Sequence, residues 1–180
     1  MLGIIIIIVL ALILIKIIIS ITNITLNRAL YFYNRGVCLS EIGNCSQAIN
    51  EYNKALKIRP KYIEALTNRG CAYARLGENH LAINDFTKAL KINPNIFQAL
   101  FNRGNAFGDL GEYKRAIADF DKALAIQPKN PDVLYHRALS YARIGCDDNA
   151  RSDLKEVLVI NSKYEDAKKL LEELDSTENI

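Results

Sequence analysis

The sequence contains few of the residues that enzymes use for chemistry. It has two histidines among its 180 residues, and neither belongs to a Ser-His-acid set, a Cys-His pair or a metal-ligand spacing. No phosphate-binding loop occurs. The four cysteines are widely and irregularly spaced, without a C-x-x-C pair, which disfavours a zinc site or a redox motif. We therefore expect a protein that is not an enzyme and that uses no metal and no cofactor.

An excess of charge of one sign is also lacking. The formal net charge is +3, and basic and acidic residues alternate along the chain instead of forming a basic cluster. Nucleic-acid binding needs a concentrated basic face, so no nucleic-acid partner is expected. The unpaired thiols favour a reducing compartment.

One long segment has almost no charge. From Leu2 to Thr22 the only charged residue is Lys16, and about 20 helical residues span about 30 Å, the hydrocarbon thickness of a bilayer. The segment is a cleavable signal peptide, a buried core helix or a membrane anchor. A signal peptide needs a basic start and small residues before the cut, and a core helix is rarely apolar on all its faces. We favour a transmembrane anchor over residues 1–22, with residues 2–22 in contact with the membrane.

The charges that flank this segment predict its orientation. No Lys or Arg precedes the apolar run, whereas Arg28 and Arg35 follow it. Positive residues close to a membrane span tend to stay in the cytoplasm. We expect a single-pass membrane protein whose remaining chain is cytoplasmic.

After a short predicted linker, residues 23–28, the chain repeats itself. The phrases YNRG, TNRG, FNRG and YHRA start at Tyr33, Thr67, Phe101 and Tyr135. In each repeat, apolar residues at three- and four-residue spacing predict two helices. A glycine ends the first helix and, in three units, a proline ends the second. The four units are 29–60, 63–94, 97–128 and 131–162, and the glycines are Gly43, Gly77, Gly111 and Gly145.

This pattern resembles the tetratricopeptide repeat family, with YKRAIADFDKALAIQP at Tyr113–Pro128 close to its typical second helix. The resemblance covers Ala29 to Ser162. It implies an all-α fold, a right-handed α-solenoid of helix-turn-helix repeats behind one N-terminal transmembrane helix. Residues 163–180 are expected to form a capping helix and a polar tail. The fourth unit departs most, with Ala138 and Ser162 where the other units have Gly and Pro.

An arginine recurs in every first helix, and an acid recurs in every second helix. We predict that these residues pair between helices, because bidentate Arg-carboxylate geometry fixes the register of two helices. The alternative is that the arginines are exposed and bind an acidic ligand. The two columns are Arg35, Arg69, Arg103 and Arg137, and Glu51, Asp85, Asp119 and Asp153.

The resemblance also implies that the first helices line a concave groove. Amide side chains there can hold the backbone of an extended peptide, and aromatic residues beside them offer rigid contact area. The alternative is that both sets only pack between neighbouring helices. The candidate peptide-binding residues are Tyr33, Asn34, Asn68, Phe101, Asn102, Tyr135 and His136.

Some members of the family hold the C-terminal carboxylate of a chaperone with Lys, Arg and Asn side chains. The corresponding positions in this sequence supply no suitably placed cations, so such a clamp is not expected. The groove is predicted to be slightly acidic, from Glu41, Glu64, Asp109 and Asp132 against Arg75 and Arg143. The expected partner is a protein or peptide segment that is neutral or mildly basic.

These observations predict a membrane-anchored scaffold or assembly factor that acts through protein–protein interaction. Two other interpretations stay open. One is a secreted or periplasmic repeat protein whose apolar segment is removed, and the other is a regulatory subunit that docks on an enzyme. The fold alone does not decide between them, since one fold serves many functions.

Overall fold

The computed structural model describes residues 2–177, and within this range the chain forms nine helices and no strand. The repeats are built from pairs of antiparallel helices, α1 to α8, and α9 follows the last pair. The helices are α1 Leu2–Glu41, α2 Cys45–Ile58, α3 Ile63–Arg75, α4 Asn79–Ile92, α5 Phe97–Asp109, α6 Tyr113–Ile126, α7 Pro131–Arg143, α8 Asp147–Ile160 and α9 Glu165–Thr177.

Successive helices pack against one another from α1 to α9, and each first helix also contacts the first helix of the next unit. A continuous apolar core runs through units two to four and into α9. The fold is therefore an all-α solenoid, as the sequence predicts. Equivalent helices from α2 to α8 begin and end 34 residues apart in successive units.

The glycine that follows each first helix has a backbone conformation that other residues rarely adopt. Gly43, Gly77, Gly111 and Gly145 have φ angles of 79°, 76°, 75° and 73°. Glycine reaches this left-handed region without the steric cost of a Cβ atom. These residues stop the first helix in every unit and turn the chain into the second.

A second glycine in the first helix allows the two helices of a unit to approach closely. An added Cβ on Gly70 would lie 2.7 Å from Cε1 of Phe86, and one on Gly104 would lie 2.6 Å from Cε1 of Phe120. The fourth unit has an alanine, Ala138, at this position, and the residue that corresponds to Phe86 and Phe120 is the smaller Leu154; both are fully buried. The exchange of glycine for alanine is thus matched by a smaller partner.

The apolar N-terminal segment continues without a break into the first repeat. Residues 23–28, predicted as a linker, are helical and belong to α1. The Thr22 hydroxyl donates to the carbonyls of Ile18 and Ile19, and the Thr25 hydroxyl donates to that of Thr22. These bonds satisfy the hydroxyl groups within the helix, so polar residues after the apolar run do not end it.

From Val9 to Arg28 every residue is exposed, so this part of the apolar segment and the residues after it lie outside the core. Within α1, Val9–Glu41 contains a window long and apolar enough to cross a membrane, and none of that window is buried. Ile15 and Ile21, for example, are 51 % and 55 % exposed. The interpretation as a buried core helix is therefore wrong.

Helix α9 closes the other end of the solenoid with one apolar face. Ala167 is fully buried and Leu174 is 9 % exposed, and Tyr164, Leu170 and Leu171 pack beside them. The opposite face carries Lys and Glu residues, as a terminal repeat needs for solubility.

Candidate functional site

The arginine column pairs with the acid column in units two, three and four. Each Arg donates through Nε and Nη2 to both oxygens of the acid on the second helix of its own unit. The distances are 2.6 and 2.7 Å for Arg69–Asp85, 2.6 and 2.7 Å for Arg103–Asp119, and 2.8 and 2.7 Å for Arg137–Asp153. The predicted ladder is confirmed in these units, and its arginines are not available to an acidic ligand.

The same arginines also connect neighbouring units. The Nη1 atom of Arg103 donates to Oγ1 of Thr87 at 2.9 Å, and that of Arg137 donates to Oδ1 of Asp121 at 2.6 Å. Each guanidinium thus joins three helices. In the first unit the contact is weaker, because Arg35 is half exposed and its Nε lies 3.9 Å from Glu51.

Three cavities of similar size follow one another along the surface that the first helices share, which we call the concave groove. The first, about 300 Å³, lies between α1 and α3 beside Val37, Asn68 and Gln98. The second, about 300 Å³, lies between α3 and α5 and shares Gln98 with the first. The third, about 310 Å³, lies between α5 and α7 beside His136. The groove is therefore a chain of three connected depressions.

The amide column faces the preceding unit. Nδ2 of Asn68 donates to the Tyr33 hydroxyl at 3.2 Å, and Nδ2 of Asn102 donates to Sγ of Cys71 at 3.0 Å. Oδ1 of Asn102 accepts from Nε2 of Gln98 at 3.0 Å. Asn34, which has no preceding unit, is exposed. Two of the three predicted amides thus bond neighbouring helices at the floor of the groove.

The aromatic candidates pack between units and are half-buried. The Tyr33 ring lies 5.0 Å from that of Tyr62, and the Tyr135 ring lies 5.1 Å from that of Tyr164. The Phe101 ring lies 5.5 Å from the His136 imidazole. Each of these side chains presents part of its surface to the groove and uses the rest to join two units.

His136 takes the place of the asparagine in the fourth unit. Its ring contacts Phe101 and also Phe120, at 6.2 Å between centroids. Burial lowers the pKa of His136, although Asp132 and Asp109 act in the opposite direction. The imidazole is consequently neutral at physiological pH and offers one donor and one acceptor.

Two kinds of groove residue are missing from the candidate set. One is Asn105, whose Oδ1 is buried and has no hydrogen-bond partner in the part of the chain that the structure describes. It lines both the second and the third cavity. In the sequence, Asn105 differs from the equivalent residues of the other units, Val37, Cys71 and Leu139, because it alone is an amide.

The other kind is the charged residue that ends each first helix, which the sequence predicts in the groove without naming it as a peptide contact. Glu41, Arg75, Asp109 and Arg143 are exposed and line the three cavities. Their equivalence follows from the 34-residue spacing of the units, which was the signal available in the sequence.

The chemistry of the groove side chains follows from their surroundings. Burial raises the pKa of the Cys71 thiol, which leaves little thiolate to act as a nucleophile. Among residues 2–177, no group of His, Cys, Asp and Glu is arranged to hold a metal ion. Fold and groove together define a helical repeat protein built for protein–protein interaction.

The chain belongs to the tetratricopeptide repeat family. The family model described as TPR repeat matches residues 39–77 and 104–145, and two models described as tetratricopeptide repeat match residues 63–96 and 86–118. These matches confirm the family that the 34-residue pattern indicates. No curated protein sequence matches the chain.

Solved structures share the fold. A crystal structure of MamA is 24 % identical, with a TM-score of 0.78, over 80 % of this chain and 84 % of that chain. MamA from Desulfovibrio magneticus RS-1 is 20 % identical, with a TM-score of 0.81, over 84 % and 86 %. The first TPR domain of Spaghetti (RPAP3), bound to an HSP90 peptide, is 25 % identical, with a TM-score of 0.65, over 66 % and 94 %.

Proposed function

We propose that this protein is a membrane-anchored scaffold or assembly factor that holds an extended peptide segment of a partner protein in the concave groove. The observation that carries this proposal is the row of three connected cavities along the first helices. An extended peptide is the shape that fills such a row. The RPAP3 domain, which shares this fold, is bound to a peptide.

The polar residues of the groove suit a peptide backbone. Gln98 is exposed between the first two cavities, and its amide has donors and an acceptor to offer. Asn34 is exposed at the first unit, while Asn68 and Asn102 hold the floor in place. The half-buried rings of Tyr33, Phe101 and Tyr135 supply apolar contact area at little entropic cost. His136 completes the proposed contact set.

The charges of the groove favour a partner that is neutral or mildly basic. Two acids and two arginines end the four first helices, and two further acids, Glu64 and Asp132, are exposed near the start of α3 and α7. The carboxylate of a chaperone tail needs a concentration of cations. Such a tail is therefore not the partner that we propose.

The exposed apolar stretch of α1 from Val9 to Ile21 supports the membrane anchor, since a helical stretch of this kind that is not covered by the rest of the chain is stable in a bilayer. Cations and aromatic rings follow it directly. The guanidinium of Arg28 lies 5.9 Å from the centre of the Phe32 ring, and Nζ of Lys54 lies 5.5 Å from it. Aromatic residues are enriched at both membrane surfaces and basic residues on the cytoplasmic side, so the cations support a cytoplasmic repeat domain.

Photo-crosslinking from single positions tests the groove. A photoreactive amino acid at Gln98 lies inside the groove, and the matched control is Asn84, which is exposed on α4, a second helix. We expect one protein partner to be captured from Gln98 and not from Asn84. Capture from Asn84 but not from Gln98 would place binding outside the groove and refute the proposal.

Alkaline carbonate extraction and protease protection test the anchor and its orientation. We expect the chain to stay in the membrane fraction, with the repeats accessible to protease from the cytoplasmic side. Release by carbonate would contradict the anchor. N-terminal sequencing of the mature protein separates this proposal from a secreted protein, because cleavage would remove the apolar segment.

A further inference from the structure

Charges of alternating sign run along the concave groove. The last residue of each first helix is Glu41 in α1, Arg75 in α3, Asp109 in α5 and Arg143 in α7. All four side chains are exposed. Along the four units, the charges of these residues are therefore negative, positive, negative and positive.

Helix stability does not explain this order. The C-terminus of a helix carries a partial negative charge, which favours cations and disfavours acids there. Arg75 and Arg143 agree with this preference, whereas Glu41 and Asp109 oppose it. A column selected for helix stability alone would be basic at all four positions.

Each cavity of the groove lies between one acid and one base of this column. Glu41 and Arg75 line the first cavity, Arg75 and Asp109 line the second, and Asp109 and Arg143 line the third. Arg75 reaches back to the preceding unit, where its Nη1 donates to the carbonyl and hydroxyl oxygens of Ser40, both at 3.3 Å. The charged ends thus border the space that a partner would occupy.

The four charges do not neutralise one another. Across residues 2–177, the ion pairs within 4.0 Å join none of these four residues to another. The ladder arginines, in contrast, are bonded to buried acids. The column therefore keeps its charge available to a partner.

We infer that the groove selects an extended partner segment whose charges alternate in sign, with cations opposite Glu41 and Asp109 and anions opposite Arg75 and Arg143. This inference rests on the proposed function and specifies the partner's chemistry. Packed helices lie about 8–10 Å apart, and an extended chain advances about 3.3 Å per residue. The partner's charges should therefore occur about every third residue.

Two synthetic peptides of identical composition test the charge order. One places Lys, Glu, Lys and Glu at every third position, and the other places Lys, Lys, Glu and Glu at the same positions. Both are made in both chain directions, and binding to the full-length protein in detergent micelles is followed by fluorescence anisotropy. We expect the alternating peptide to bind about tenfold more tightly at low salt, since each exposed ion pair contributes a few-fold.

A charge-order variant of the protein supplies the reciprocal test. Arg75→Asp combined with Asp109→Arg keeps the net charge but produces the order negative, negative, positive, positive. We expect this variant to prefer the peptide with the Lys-Lys-Glu-Glu order. The matched control, Lys155→Glu with Glu156→Lys, exchanges exposed charges on α8 and should keep the native preference.

The native protein alone can refute the inference, even if the variant does not fold. Equal affinity for the two peptides, or no binding of either, would overturn it. A preference that persists unchanged in high salt would also overturn it, because exposed charge pairs are screened. Crosslinking from Gln98 decides the proposed function independently, so a groove that captures a partner but ignores charge order would contradict this inference alone.

Discussion

Replacing Gly70 by alanine tests the close contact between the two helices of a repeat. The new Cβ would lie 2.7 Å from Cε1 of Phe86 and 3.0 Å from its Cδ1 and Cζ atoms. Carbon atoms in favourable contact are about 3.5–4.0 Å apart, so the ring would have to move by roughly 1 Å. Phe86 is fully buried, which leaves little room for such a movement.

The magnitude follows from two opposing terms. Overpacking of a buried site costs about 1–3 kcal/mol, and replacing glycine by alanine within a helix gains about 1 kcal/mol. We expect Gly70→Ala to lower the free energy of unfolding by about 1 kcal/mol. In a Phe86→Leu background the ring is gone, so the same substitution should raise the free energy of unfolding by about 1 kcal/mol.

The fourth unit already contains this combination, with Ala138 and Leu154 at the two equivalent positions. The assay is urea unfolding of the full-length chain in detergent micelles, followed by circular dichroism for the native protein, both single variants and the double variant. We expect a coupling energy of about 2 kcal/mol between the two sites. If Gly70→Ala changed stability by the same amount and sign in both backgrounds, the steric argument would be refuted.

Two further predictions concern charged groups. Arg103→Met should destabilise the fold by about 3–5 kcal/mol, because it leaves the buried Asp119 carboxylate without its partner. Arg35→Met should cost less than about 1 kcal/mol, because Arg35 is half exposed and far from Glu51. Equal losses of stability in urea unfolding would contradict the ladder. Burial lowers the pKa of His136 below the value of 6.5 expected in the unfolded chain, so the unfolded state binds more protons and stability should fall as the pH drops below about 6.5. His136→Asn should weaken this pH dependence of the melting temperature, and an identical pH profile in both proteins would count against the burial of the imidazole.

Much of the fold was predictable because every unit repeats the same local signals. A glycine that adopts positive φ ends each first helix, and an arginine and an acid at fixed spacing identify the pair that joins the helices. The two positions at which the fourth unit departs from the repeat pattern, Ala138 and Ser162, were also visible in the sequence. The sequence did not reveal that Ala138 is matched by a smaller partner, because that match depends on which side chain faces position 138 in three dimensions.

One expectation failed for an identifiable physical reason. The polar residues after the apolar segment suggested a linker, but Thr22 and Thr25 bond to carbonyls within their own helix, so α1 continues into the first repeat. For the amides Asn68 and Asn102 the sequence left two interpretations open, contact with a peptide and packing between neighbouring helices. Both bond to the preceding unit, and the direction of a side chain across a unit boundary is not encoded in the repeat pattern.

The repeats themselves separate structural from functional positions. Packing acts in nearly the same way on every unit, so a column that holds one residue type throughout is explained by packing. Gly43 and its three equivalents, and the arginines bonded to buried acids, behave in this way. Helix stability cannot explain a column that changes sign at every step, since each position ends the first helix of its unit, where a base is favoured. The order Glu41, Arg75, Asp109, Arg143 therefore calls for an explanation outside the chain, and an extended partner of complementary charge order provides one.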